Sequence, residues 1–403
     1  MIDRRSLLLR GAALGCSAAA SPLISPVALA SAPWDARLVV VILRGAMDGL
    51  DAIRPVGDPH YAELRPGLLA AVPGVPISDF WALHPALSRL VPLWEKGELA
   101  FAHAVSTPYR DKRSHFDGQD LLEAGTGFVP GAPRARDGWL NRMLQVVPGM
   151  EAETAFAVGR DDMLLLTGDA QVANWAPEQR LTLTPQAERL LNRLYASDPL
   201  FGSSVREAIA LTESLAASEG TDLDAEEMEE MSGMTSMSAG NHADLARFTA
   251  DRLRRDTRVA AFSLTGWDTH NKQIGGIDKA LTQLSDVIEV LQVGLGEIWG
   301  KTAVLAMTEF GRTARENGSG GTDHGTGGAM LMAGGAVRGG TAFGAWPGLS
   351  EGDLYDRRDL MPTGDVRAFA ASAMEGLFGL DRTVLESAVF PGLDMAGTDR
   401  VIL

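Results

Sequence analysis

Leu38-Val39-Val40-Val41-Ile42-Leu43 is an unbroken apolar run, mostly β-branched, with no polar residue alternating through it. A strand with one wet face alternates, whereas one buried on both faces of a sheet does not. The run ends in Arg44-Gly45-Ala46-Met47-Asp48-Gly49, a polar turn punctuated by glycine. Similar runs recur at 99–103, 154–158, 259–264, 302–307 and 329–333. Amphipathic helical stretches lie at 86–96, 187–195, 205–216, 243–254, 277–299 and 366–378. This alternation predicts an α/β fold, a central and mostly parallel sheet flanked by helices. Ligands of such sheets sit beyond the carboxyl ends of the strands, so the polar residues just after each run are where chemistry is expected.

The composition of the 403-residue chain, 45% hydrophobic and 22% charged, is that of a globular protein and excludes a disordered or collagen-like one. A net charge of −16 argues against a nucleic-acid partner, which needs clustered Lys and Arg. Residues 1–30 read as an export signal. Arg4-Arg5 precedes an apolar, Ala-rich stretch that ends in Ala28-Leu29-Ala30, a small-x-small cleavage pattern. The paired arginine points to the twin-arginine (Tat) export machinery and a periplasmic or secreted product. A general secretory signal, an uncleaved anchor or a lipoprotein attached through Cys16 are the other readings. No later run reaches about 18 apolar residues, so no transmembrane segment is expected in the mature chain. Cys16 is the single cysteine. Its removal with the signal would exclude disulfides, thiol nucleophiles and cysteine-held metals, leaving His, Asp, Glu and hydroxyls as ligands. Residues 31–403 read as one domain. It carries a Gly/Pro-rich loop at 125–138 and a flexible, acidic, Met-rich insertion near 222–240. That insertion is read as a solvated loop, with copper binding as the alternative.

Three clusters follow predicted strands or helix starts. Asp323-His324 stands in a Gly-rich loop after the run at 302–307, and offers a carboxylate and an imidazole side by side. Gly266-Trp267-Asp268-Thr269-His270 follows the run at 259–264. In extended backbone Asp268 and His270 point the same way, toward one ion; the alternative makes Asp268 a helix cap. Arg113-Ser114-His115-Phe116-Asp117 sets a hydroxyl beside a histidine at a helix start, either an activated nucleophile or a plain N-cap. Asp48, in the first turn, is a fourth candidate. Lysine-bearing phosphate loops and GxGxxG fingerprints are missing, which leaves nucleotide-dependent chemistry without support.

Together, Leu43–Leu50, Ser114-His115-Phe116, Gly266–His270 and the Glu309-Phe310-Gly311-Arg312-Thr313 to Asp323-His324-Gly325 block resemble domain-of-unknown-function family 1501. Its members are exported bacterial proteins grouped with the alkaline phosphatase and sulfatase superfamily. The resemblance implies an alkaline-phosphatase-like fold and a metal-dependent hydrolase of phosphate or sulfate esters. Its substrate would be an anionic small-molecule or polymer ester. One or two divalent ions are implied, among zinc, manganese, magnesium and calcium. By that pattern Asp48, Ser114, Asp323 and His324 hold one metal and Asp268 with His270 the second. Ser114 attacks, and Arg312 or Arg113 grips the non-bridging oxygens. The sequence departs from the pattern in three ways. Asp48 lies several residues past its strand, Asp268 and His270 are only two apart, and no histidine follows His324. The missing ligand would then come from His115, His103 or Glu309. The departures leave a second class open, a non-catalytic exported binding or assembly protein with at most a structural metal.

Overall fold

A computed structural model describes residues 34–110, 112–127, 135–147, 154–159, 163–175 and 241–403. The expected signal at 1–30, the helical stretches at 187–195 and 205–216 and the insertion near 222–240 lie outside the described residues.

The opening apolar run forms Arg37–Arg44 (β1). The other strands of its sheet are Leu99–Ser106 (β2), Ala155–Val158 (β3), Ala173–Trp175 (β4), Val259–Thr265 (β5), Thr302–Met307 (β6), Gly328–Ala333 (β7), Thr341–Phe343 (β8) and Gly364–Asp365 (β9). Their order is β8-β2-β7-β6-β1-β5-β3-β4, with β9 also paired to β2. β1 lies between β5 and β6 and is parallel to both. Only β7 runs against its neighbours, antiparallel to β2 and to β6. The α/β class read from the sequence, a mostly parallel sheet flanked by helices, is the class observed.

Residues of β1 divide by the two-residue period of a strand. Leu38, Val40 and Ile42 enter one core and Val39, Val41 and Leu43 the other, all fully buried. Each such aliphatic side chain contributes roughly 1.5–3 kcal/mol by leaving water. The long helices are His115–Ala124 (α1), Trp139–Gln145 (α2), Asn241–Leu253 (α3), Gln273–Leu295 (α4) and Val366–Phe378 (α5). One face of the sheet packs against α2 and α5 through Trp139, Met143, Phe369 and Met374. The other packs against α3 and α4, and α4 presents Ile277, Leu281, Leu284, Ile288, Leu291 and Leu295 as one apolar stripe. The stretch predicted as a helix over 86–96 is a 3-10 turn, Pro85–Leu90, running into a short helix, Val91–Glu95. Pro85 and Pro92 lack the N–H groups that a continuous helix would need. Among the described residues, no helix is long and apolar enough to cross a membrane.

The reversed strand matters for the site. The loops leaving the carboxyl ends of β1, β2, β5 and β6, and the loop entering β7, all reach the same edge of the sheet. Asp48, Ser114, Asp268, His270, Glu309 and His324 stand in those loops or at the helix start that follows.

Candidate metal centre

The loop after β5 carries Asp268 and His270, the start of α1 carries His115, and the loop before β7 carries His324. Their tips converge. Asp268 Oδ1 lies 3.1 Å from His270 Nε2, 3.3 Å from His324 Nε2 and 3.5 Å from His115 Nε2. His270 Nε2 and His324 Nε2 are 2.9 Å apart. Two imidazole nitrogens cannot face each other so closely with both lone pairs free; a proton or a cation must lie between or beside them.

What holds each ring decides which nitrogen is free. His115 Nδ1 is 2.7 Å from Glu309 Oε1, an acceptor only, so Nδ1 carries the proton and Nε2 keeps its lone pair. His324 Nδ1 donates in the same way to the Arg113 carbonyl, at 2.9 Å. His270 Nδ1 faces Asp323 Oδ1 at 3.4 Å. All three rings are anchored at Nδ1 by an oxygen and turn Nε2 toward Asp268. Metal-binding histidines are commonly oriented in this way. The His115 Nε2 is buried and makes no hydrogen bond.

Those distances also suit an ion. Ligands about 2.0–2.1 Å from a tetrahedral metal lie about 3.3 Å from one another. The groups mutually close enough to share one ion are Asp268, His115 and His324, with His270 beside Asp268 and His324; imidazoles with a carboxylate suit a transition metal such as zinc better than magnesium or calcium, whose sites are built mostly from oxygen. The residues therefore fit a divalent transition metal. The side chains of Asp268 and His270 are 48% and 38% exposed, so the cluster opens to solvent on one side.

The charges follow from these contacts. Burial pushes the Asp268 carboxyl up, but the hydrogen bond and charge of Arg312, helped by His324 and His270, hold it at about 2. Burial likewise raises Glu309, and the hydrogen bond from His115 outweighs it and keeps the carboxyl ionised below the usual range. The same bond raises the His115 imidazole. Burial lowers His324, favouring the neutral form that a ligand needs.

Backbone geometry brings the loops together. Gly45 has φ +122, and a Cβ there would fall 2.7 Å from the Asp268 N. Its N–H donates to Glu309 Oε1 at 3.0 Å, tying the first loop to the residue that anchors His115. Arg113, whose carbonyl holds His324, is left-handed at φ +51 despite its Cβ. That is a costly conformation of the kind that clusters at functional sites.

Several residues singled out from the sequence stand elsewhere or act differently. Asp48 is 1% exposed and outside the cluster. Its Oδ2 accepts from Arg65 Nη1 at 2.7 Å, Gln273 Nε2 at 2.7 Å and Thr322 Oγ1 at 3.2 Å, and its Oδ1 from Asp51 N at 3.3 Å. Asp48 is thus the buried ion-pair partner of Arg65 in this structure. Arg312, 1% exposed, spends its donors on the carbonyls of Gly45, Ala46, Trp267 and Thr322 and on Asp268 Oδ1 at 2.6 Å. It positions Asp268 and has no fork left for an oxyanion. Asp323 stands one layer out, held by Asn317 Nδ2 at 3.0 Å and backing His270. Ser114 caps α1, its Oγ accepting from Asp117 N at 3.5 Å, a long and weak contact. Arg113 Nη2 pairs with the buried Asp359 at 3.1 Å, and its Nε is buried without a partner. Of the substitutes considered for the absent late histidine, His115 joins the cluster and Glu309 anchors it. His103 is buried apart, with Nε2 against the Ile53 carbonyl at 3.1 Å.

Fold and cluster define an α/β protein with a candidate metal centre at the carboxyl edge of its sheet. The chain belongs to the family described as "Protein of unknown function (DUF1501)", whose model matches residues 35–389. No curated protein matches it. Among solved structures, the lipoteichoic acid synthase LtaP from Listeria monocytogenes is similar at 8% identity and a TM-score of 0.39, over 91% of this chain and 78% of that one. A protein in the alkaline phosphatase superfamily from Vibrio parahaemolyticus is similar at 11% identity and a TM-score of 0.36, over 90% and 73%. The C-terminal periplasmic domain of EcEptC from Escherichia coli, in complex with Zn, gives 10% identity and a TM-score of 0.32, over 74% and 73%. Overlaps this loose transfer no residue roles, and the site is argued from its own atoms.

Proposed function

We propose that this protein is an exported, metal-dependent hydrolase of phosphate or sulfate esters. The observation that carries the reading is the convergence of three Nδ1-anchored imidazoles on Asp268 at a rim open to solvent. His115, Asp268 and His324 would hold the ion, with His270 beside them. When bound, a divalent ion there supplies Lewis-acid polarisation of an ester oxygen.

The chain's own residues do the rest. Glu309 fixes the His115 ring, the Arg113 carbonyl fixes His324, and Arg312 aims Asp268 by drawing its charge toward one side. Ser114 is the nucleophile of this reading, since its hydroxyl stands beside that of Tyr109 at the start of α1, where the helix dipole favours an arriving anion. The partly exposed guanidinium of Arg113 is suited to the non-bridging oxygens. As Ser114 Oγ bonds to phosphorus or sulfur, the bond to the ester's alcohol oxygen would break and that oxygen would take up the serine's proton, and water would then hydrolyse the serine ester to release phosphate or sulfate.

A second reading has its own support. An ion held by this cluster with no position left open would be structural, and the chain would then be a binding or assembly protein. Turnover decides between them. Wild-type protein assayed on aryl phosphate, phosphodiester and sulfate esters should show metal-dependent hydrolysis that His324→Ala abolishes. Metal binding with no turnover on any of these esters would favour the structural reading.

A further inference from the structure

Gln273, the first residue of α4, is fully buried between two exposed neighbours, Lys272 and Ile274. An amide taken out of water must find all its hydrogen bonds inside the protein. Its Nε2 donates to Asp48 Oδ2 at 2.7 Å and to Asp51 Oδ2 at 2.8 Å. Its Oε1 accepts from Thr269 Oγ1 at 3.1 Å and faces Thr322 Oγ1 at 2.7 Å, closer than the 3.2 Å between that hydroxyl and Asp48. The two carboxylates, paired with Arg65 and Arg54, only accept, so the amide is turned in one sense and both its ends are used.

These four partners stand on three loops. Asp48 and Asp51 belong to the turn after β1. Thr269 lies between Asp268 and His270, and Thr322 directly precedes Asp323-His324. The backbone follows the same joint. Gln273 N donates to the Gly320 carbonyl at 2.9 Å, and Thr322 N to the Thr269 carbonyl at 3.2 Å. At Gly321 a Cβ would fall 2.4 Å from the Thr269 oxygen, so the two loops touch there. The chain enters α4 through Lys272, left-handed at φ +47 despite its Cβ, a conformation that persists where the surroundings fix it.

We infer that Gln273 is a positioning residue of the metal centre. It acts through Thr269 and Thr322, and sets the separation between the loop that carries Asp268 and His270 and the loop that carries His324. The oxygens at Nδ1 orient the rings; Gln273 spaces the loops that bear them. An amide suits the place, because one end must donate to two carboxylates and the other must accept from two hydroxyls. A glutamate would set a third carboxylate against Asp48 and Asp51, and an apolar side chain would leave all four groups without it. The inference rests on the metal centre of the reading above and not on ester hydrolysis.

Two variants test it on the whole protein. Thr322→Val removes one hydroxyl and keeps the shape; Gln273→Met keeps the length and removes the amide. In a chelator competition each should raise the zinc dissociation constant about 10- to 100-fold, and each should change the visible spectrum of bound cobalt(II). Leu291→Ala, buried about five turns along the same helix, should lower the melting temperature and leave both as in the wild type, which separates positioning from stability. Wild-type affinity and spectrum in Thr322→Val and Gln273→Met would overturn the inference, as would an equal loss of affinity in Leu291→Ala. Hydrogen exchange of the metal-free proteins is the independent reading: amides of 320–324 should exchange at least about tenfold faster in Gln273→Met than in the wild type. A wild type that binds no zinc would reject the metal reading. Faster exchange in the variant would then keep Gln273 as the spacer of the loops, and unchanged exchange would overturn it.

Discussion

Replacing Asp48 by Asn removes one charge from a fully buried ion pair and changes almost nothing in shape. Arg65 is 0% exposed and its Nη1 meets Asp48 Oδ2 at 2.7 Å, so the variant strands a buried guanidinium. Breaking one side of a buried pair costs about 3–5 kcal/mol. Unfolding entropy of about 2.1 cal/mol/K per residue over roughly 370 residues is about 0.8 kcal/mol/K, so the melting temperature should fall by about 4–6 °C at pH 7. The pH dependence has a definite sign. Burial pushes the Asp48 carboxyl up, but Arg65, Gln273 and Arg312 together hold it below its ordinary value. A depressed carboxylate stabilises the fold fully above the unfolded value of about 3.9, and that contribution is lost as pH falls through the folded one. The gap between wild type and Asp48→Asn should therefore be widest near neutrality and begin to narrow as pH falls below about 4. Differential scanning calorimetry from pH 3 to 8 measures both. An unchanged melting temperature at pH 7 would refute the ion-pair assignment. If the variant also lost bound metal, Asp48 would return as a ligand.

Four further outcomes are expected. Glu309→Gln should weaken metal binding about 10- to 100-fold in a chelator competition, because His115 loses the carboxylate that orients it; wild-type affinity would contradict that anchoring. Gly45→Ala places a Cβ against the Asp268 backbone in a left-handed conformation and should cost at least about 1–3 kcal/mol, read by urea unfolding. Ser114→Ala should abolish ester turnover while costing about 0.5–2 kcal/mol as a lost cap, and Ser114→Asp should restore the stability but not the turnover; near wild-type turnover in Ser114→Ala would remove it from the mechanism. Changing Arg4 and Arg5 both to Lys should block accumulation outside the cytoplasm, and undiminished export would exclude the twin-arginine route.

The strands were legible because a run such as Leu38–Leu43, buried on both faces, admits few other states. The direction of β7 was not, since an apolar run reads alike in either sense; only the finished sheet shows that 328–333 runs against its neighbours. For the site, the sequence singled out the loops that the fold brings together, and Asp268, His270 and His324 meet there with His115, while Asp323 stands behind His270. It could not apportion the atoms among them. The ion pair of Asp48 was not legible, because its partner Arg65 lies 17 residues on, in a stretch with no motif to mark it. Arg312 looked free for the same reason, as its acceptors are backbone carbonyls of three separate loops. His115 stood in a marked motif beside Ser114, but only the packing of α1 against Glu309 turns its Nε2 toward Asp268.

Metal content tests the central claim most directly. Protein purified without a histidine tag, loaded with zinc or manganese and dialysed, should retain about one ion per chain by inductively coupled plasma mass spectrometry. His324→Ala, which removes an anchored imidazole, should retain almost none, and added metal should raise the melting temperature of the wild type alone. A wild-type protein that holds no stoichiometric ion with either metal, and melts at the same temperature with and without it, would contradict the account.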